Sequence, residues 1–198
     1  MAVLTKKAIL RELREGQNGK GLVITPIQMD QIGASSIDVH LGNEFIIFRR
    51  ASITSMDIKT ENRTDHNVHK YQEKERIGKK DKFVLHPQQL VLGATREYIS
   101  LPDNIAAEIV GRSTWGRTGL IIATATHISP TFKGCVTLEL VNEGEIPLVL
   151  YPDMRVAQLI LFRTEEKISS KGRYQFQTGP EFPKFEKELK YINLDSKG

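Results

Sequence analysis

Two short segments concentrate the side chains able to do chemistry. In Gly111-Arg112-Ser113-Thr114-Trp115-Gly116-Arg117-Thr118-Gly119, two guanidinium groups and several hydroxyls sit among three glycines directly after an apolar run. Glycine lets backbone N–H groups approach an anion closely, and hydroxyl and guanidinium donors match phosphate oxygens, so this composition suits an oligophosphate. It equally suits a surface turn with solvated arginines, and the Gly-Lys-Ser/Thr ending of a Walker A loop is missing.

The second segment is Gly134-Cys135-Val136-Thr137-Leu138-Glu139-Leu140-Val141-Asn142. It alternates as a strand does, with Val136, Leu138 and Leu140 on one face and Cys135, Thr137, Glu139 and Val141 on the other. A carboxylate among small and apolar neighbours has its charged form disfavoured, and a raised pKa serves a group that must take up and release a proton near neutrality. An ordinary glutamate on an exposed sheet face has the same pattern, so the strand alone leaves both roles open.

The other reactive side chains assemble nothing comparable. Cys135 is the single cysteine, which excludes an intramolecular disulfide and a thiolate-based structural zinc site. A lone thiol within a strand reads as a small core residue. His66, His69 and His86 lie in or beside a polar stretch and share no metal-ligand spacing with His40 and His127. The His-x-Glu and Pro-Cys-x-x-Cys signature of zinc-dependent nucleobase deaminases is absent, so no zinc is expected and any hydrolytic water must be activated by another route.

These segments need a scaffold. A first helix is expected with Thr5 as N-cap, Ile9, Leu10 and Leu13 on one face, and Gly16 ending it in the left-handed conformation. Thr25 to Gly33 predicts a helical turn with Pro26 in its first position. Alternation and turn residues then predict strands over 36–41, 44–50, 83–85, 90–98, 105–110, 120–125, 135–141, 146–150 and 155–162. Short strands with almost no helix between them argue for an all-β sandwich or jelly-roll-like barrel. Residues 57–82, rich in Lys, Glu, Asp, Asn and His, read as an exposed excursion. After a flexible junction at 169–172, Arg173 to Pro180 mixes a cation, amides and aromatics, a composition able to close over a ligand. Phe182, Phe185, Leu189 and Ile192 then predict a short terminal helix.

The 198 residues, 39% hydrophobic and 26% charged, suit one compact domain over 1–198, with the lid and terminal helix inside 168–198. Twenty-eight Lys and Arg against 24 Asp and Glu leave +4, an excess that suits an anionic ligand and falls short of a nucleic-acid-binding tail. No apolar h-region opens the chain, and no run approaches the roughly 18 apolar residues of a membrane span. Neither a membrane nor a nucleic-acid partner is expected, and a cytoplasmic setting fits.

Taken in order, these segments resemble the dCTP deaminases of the trimeric dUTPase-like superfamily. The likeness starts at Ile24-Thr25-Pro26 and Ala34-Ser35-Ser36-Ile37-Asp38-Val39-His40-Leu41-Gly42 and continues through Leu85-His86-Pro87 and the two segments above. It then takes in Met154-Arg155-Val156-Ala157-Gln158-Leu159 and ends at Gly172-Arg173-Tyr174-Gln175-Phe176-Gln177. Each motif alone is weak, whereas the whole series in register is specific.

The resemblance implies a mainly β fold, a distorted jelly-roll-like β-barrel of the dUTPase-like, β-clip kind, with a short N-terminal helix and a C-terminal lid. It implies zinc-independent hydrolysis of dCTP to dUTP and ammonia in the supply of pyrimidine deoxynucleotides. Glu139 would activate water for attack on C4 of cytosine, assisted by Ser113 and Arg117. Arg112, Ser113, Thr114, Trp115, Gly116 and Arg117 would surround the triphosphate. Backbone groups around Thr124, Ala125 and Thr126 would read the cytosine edge, while Thr137 and Leu138 would line the sugar and base. Gln158, Arg173 and Gln177 would close on the phosphates, whose oxygens Mg2+ would bridge. Ser129 stands where the family carries an aspartate near the deoxyribose. The sites would be shared between subunits of a homotrimer. Family members either stop at dUTP or continue to dUMP and pyrophosphate, and Gly116 before Arg117 resembles the second kind. The alternatives are a dUTP diphosphatase of the same superfamily and a non-catalytic trimeric nucleotide-binding regulatory protein.

Overall fold

The computed structural model describes residues 2–49, 68, 71–123, 127–168 and 172–185. Strand β1 (Ala2–Val3) leads into helix α1 (Lys6–Gln17), which turns Ile9 into the core. Strand β2 (Val23–Thr25) and a 3-10 turn (Met29–Gln31) precede β3 (Ile37–His40) and β4 (Glu44–Phe48). Next come β5 (Gln72–Arg76), β6 (Phe83–Leu85), β7 (Leu90–Ser100) and β8 (Ile105–Gly111). A one-turn helix, α2 (Ser113–Gly116), joins β8 to β9 (Leu120–Ile122). The chain continues with β10 (His127–Ile128), β11 (Lys133–Asn142), β12 (Leu148–Leu150) and β13 (Arg155–Arg163).

Two antiparallel sheets carry the fold. One runs β1-β13-β8-β10 with β3 also on β13, and the other runs β5-β4-β7-β11-β9 with β2 also on β7. The small β6–β12 pair stands apart. One apolar cluster takes side chains from both large sheets, among them Val39, Ile109 and Leu159 from the first and Phe45, Val91 and Leu138 from the second. The period-two pattern of these strands puts such residues on inner faces, where their removal from water drives packing. The protein is thus mainly β, as expected, but its sheets are open and do not close into a barrel.

Several local expectations change. Gly16 does not end α1; the helix continues through Gln17 and the left-handed residue is Gly19, at φ 76°. A Cβ on Gly16 would lie 1.9 Å from the Leu22 carbonyl oxygen, so close packing explains this glycine. Pro26 opens no helical turn, because Thr25 ends β2 and the 3-10 turn begins only at Met29, where Gln31 Oε1 accepts from the Gln28 N–H at 2.7 Å. The polar excursion contains a strand that alternation could not reveal. All five residues of β5 are polar or charged, and it pairs with β4 under cross-strand contacts such as Lys74 and Arg76 to Glu44. Residues 181–185 are not helical, and Leu189 and Ile192 lie outside the described residues.

Candidate active site

Strand β11 pairs with β7 on one side and β9 on the other, so its backbone is held along both edges. A register shift sets Cys135 opposite Tyr98 and Thr137 opposite Ala94, so the extra residues lie on β7. Strand β11 keeps its alternation, with Val136, Leu138 and Leu140 in the core cluster. Val136, on the core face as expected, also borders the cavity that Glu139 lines. That cavity measures about 470 Å³. Its walls include Glu139 and Thr137 from β11, Leu92 from β7, and Ser129, Pro130 and Phe132 from the turn before β11.

Glu139 is half-buried and faces apolar neighbours, and burial raises its carboxyl above the ordinary 4.5. Its main chain is fixed opposite Leu92, and its carbonyl accepts from the Ala123 N–H at 2.9 Å. A proton acceptor on a rigid strand beside a largely apolar cavity can activate water without being solvated itself. Cys135 does not compete for this chemistry, since it is buried and desolvation pushes its thiol up to about 11.

The C-terminal segment covers the cavity. Gln177 forms a parallel bridge with Gly134, its carbonyl accepts from the Cys135 N–H at 2.8 Å, and its side-chain amide donates to the Cys135 carbonyl and, at 3.4 Å, to Thr137 Oγ1. Gly134 has φ 148°, and a Cβ there would meet Gln177 Cγ at 3.0 Å, so this approach requires glycine. Gln177 is 7% exposed, and its Oε1 has no hydrogen-bond partner among the described residues. Arg173 also lines the cavity and donates to the Lys184 carbonyl at 2.9 Å. Tyr174, inside the segment expected to close over a ligand, reaches the same wall, as does Glu181, which the sequence pattern did not single out.

The guanidinium-rich segment lies elsewhere. Ser113, Thr114, Trp115 and Gly116 make up α2, with Arg112 as its cap and Arg117 just after it, and among the described residues none of 112–117 lines the Glu139 cavity. Arg112 instead faces the first sheet, where Asp38 Oδ2 accepts from its Nη1 at 2.9 Å. Gln158 Nε2 donates to the other oxygen of Asp38 at 3.0 Å. Trp115 Nε1 donates to the Arg155 carbonyl at 2.7 Å, tying α2 to β13. Leu120 pairs with Asn142, three residues beyond Glu139, which places α2 past a point about 10 Å along the sheet. Leu138, expected to line the base pocket, is fully buried in the core, as alternation with Glu139 requires. Thr124, Ala125 and Thr126 lie outside the described residues.

A family model described as dCTP deaminase-like matches residues 3–164. The chain belongs to the dCTP deaminase-like family. Within that family it is 39% identical over 171 residues to a protein of Persephonella marina named "dCTP deaminase, dUMP-forming", covering 85% of this chain and 91% of that one. A Methanosphaera stadtmanae protein of the same name is 36% identical over 203 residues and 98% of both chains. Among solved structures, the 2'-deoxycytidine 5'-triphosphate deaminase of Agrobacterium tumefaciens matches 80% of this chain and 46% of its own at a TM-score of 0.57 and 19% identity, a likeness of fold.

Proposed function

We propose that the protein hydrolyses dCTP at C4 of the cytosine ring, with Glu139 as general base. The observation that carries this reading is a half-buried carboxylate with a raised pKa, fixed on β11 at a covered cavity, in a chain of this family. The Glu139 carboxylate takes a proton from water as the water oxygen bonds to C4 and the C4=N3 π pair moves onto N3. The tetrahedral intermediate then receives that proton on the exocyclic nitrogen, and the N3 pair re-forms C4=N3 as the exocyclic C–N bond breaks. Ammonia leaves, and transfer of the hydroxyl proton to N3 gives uracil. The free acceptor on Gln177 Oε1 suits an N–H or O–H of the nucleotide.

The triphosphate falls to Arg112, Ser113, Thr114 and Arg117. Because these lie outside the Glu139 cavity of their own chain, the reading calls for a second copy to supply them, within a homotrimer. Magnesium belongs to the substrate here: guanidinium and amide donors suit phosphate oxygens, and those oxygens carry the ion in. The relatives' names favour continuation of the reaction, in which a second water cleaves dUTP to dUMP and pyrophosphate.

Purified protein incubated with magnesium and dCTP should release ammonia together with dUMP and pyrophosphate. Turnover of dUTP with none of dCTP would replace this reading with a dUTP diphosphatase, and turnover of neither would favour a binding protein. Because the base must be ionised, kcat/KM should rise with pH through the elevated Glu139 pKa, with the acid limb centred above 4.5. A pH-rate profile in buffers of constant ionic strength checks the direction, and a limb centred below 4.5 would remove Glu139 from the role.

A further inference from the structure

We propose that Asp38 is a positioning residue that holds Arg112 and Gln158 as one phosphate-binding unit. This rests on the reading that Arg112 and Gln158 take the substrate's phosphates. Asp38 sits on β3 directly opposite Gln158 of β13, and its side chain is 13% exposed. Both carboxylate oxygens are engaged: Oδ1 accepts from Gln158 Nε2 at 3.0 Å, and Oδ2 accepts from Arg112 Nη1 at 2.9 Å with Arg155 Nη1 at 3.6 Å. A guanidinium has five N–H donors in a planar fork, so one bond to Asp38 sets its orientation and leaves donors for phosphate oxygens.

Charge makes the arrangement necessary. Arg112 and Arg155 both contact the same carboxylate, which screens their mutual repulsion, and Asp30 pairs with Arg155 from the far side. Without the Asp38 charge, Arg112 has reason to swing into solvent, and each phosphate contact must then reorder a long side chain. The backbone of the same turn is held independently, by the Trp115 indole on the Arg155 carbonyl and by the Arg112 N–H on the Val156 carbonyl at 3.1 Å. Loss of the carboxylate therefore leaves the turn in place and frees the side chains.

The test is calorimetric binding of inorganic tripolyphosphate, dCTP and the neutral nucleoside deoxycytidine to the full chain. Asp38→Asn is expected to weaken tripolyphosphate and dCTP by a common factor of about ten- to a hundredfold. Deoxycytidine binding should be unchanged, and KM for dCTP should rise while kcat stays near wild type. Asp38→Glu, which keeps the charge but moves it by one methylene, should lose part of the affinity and serves if Asp38→Asn does not fold. Unchanged tripolyphosphate affinity in both variants, an equal loss for deoxycytidine, or no tripolyphosphate binding by the wild type would overturn the proposal. A wild type that binds dCTP and tripolyphosphate but releases no ammonia would refute the deaminase reading alone, because Asp38 is still read by affinity.

Discussion

Glu139→Gln protein is expected to bind dCTP with near-wild-type affinity and to release ammonia at least about a hundredfold more slowly. The amide matches the carboxylate in size, so β11 and the cavity wall are kept, but it cannot take a proton from water. The substitution should not cost stability. Burial raises the Glu139 pKa in the folded protein, so between 4.5 and that higher value the folded state holds more protons than the unfolded chain. Stability from this group is therefore lost as pH rises through the window, and glutamine carries no such penalty at neutral pH. Thermal unfolding at neutral pH should give a midpoint at or above that of the wild type. Ammonia release close to wild type would refute Glu139 as the base. Loss of dCTP binding with the fold intact would instead make the carboxylate a substrate contact.

Much of this arrangement was legible in the sequence, and the failures have physical causes. Strands β3, β8, β11 and β13 follow the period-two pattern because each turns one face to the shared core, so apolar residues mark them. Strand β5 was invisible because an edge strand paired mainly through Glu and Lys side chains needs no apolar face. The faces of β11 were legible, since Val136, Leu138 and Leu140 all lie in the core cluster, but the register shift on the facing β7 leaves no signal in the alternation. Gly134 was visible, but the reason for it, a close approach by Gln177 from 43 positions later, is a tertiary fact. Asp38 has no local signal of its own beyond the alternation of Ile37-Asp38-Val39. Its contacts with Arg112 and Gln158 arise because β3 and β8 flank β13, an order that local pattern does not encode.

The larger consequence concerns how the two chemical segments meet. Glu139 lies on the second sheet beside its cavity, whereas Arg112 is anchored to Asp38 on the first. In our account one dCTP is held by two copies of the chain, the base over Glu139 of one and the phosphates on Arg112 to Arg117 of the other. An isolated subunit then has a carboxylate without phosphate donors, and dilution to monomer should abolish turnover. Arg117→Ala alone should also be severely impaired, since a charge-assisted phosphate contact contributes about 1.5–3 kcal/mol.

The decisive measurement is ammonia release from dCTP by oligomers containing both Glu139→Gln and Arg117→Ala chains, co-expressed with different tags and purified through both. Each variant alone is expected to be nearly inactive. Purification through both tags leaves only mixed trimers, and in each of these about one site in three joins an intact Glu139 to an intact Arg117 from its neighbour. Activity recovering toward about a third of wild type is the predicted result. Mixed oligomers no more active than the two parents would contradict the account.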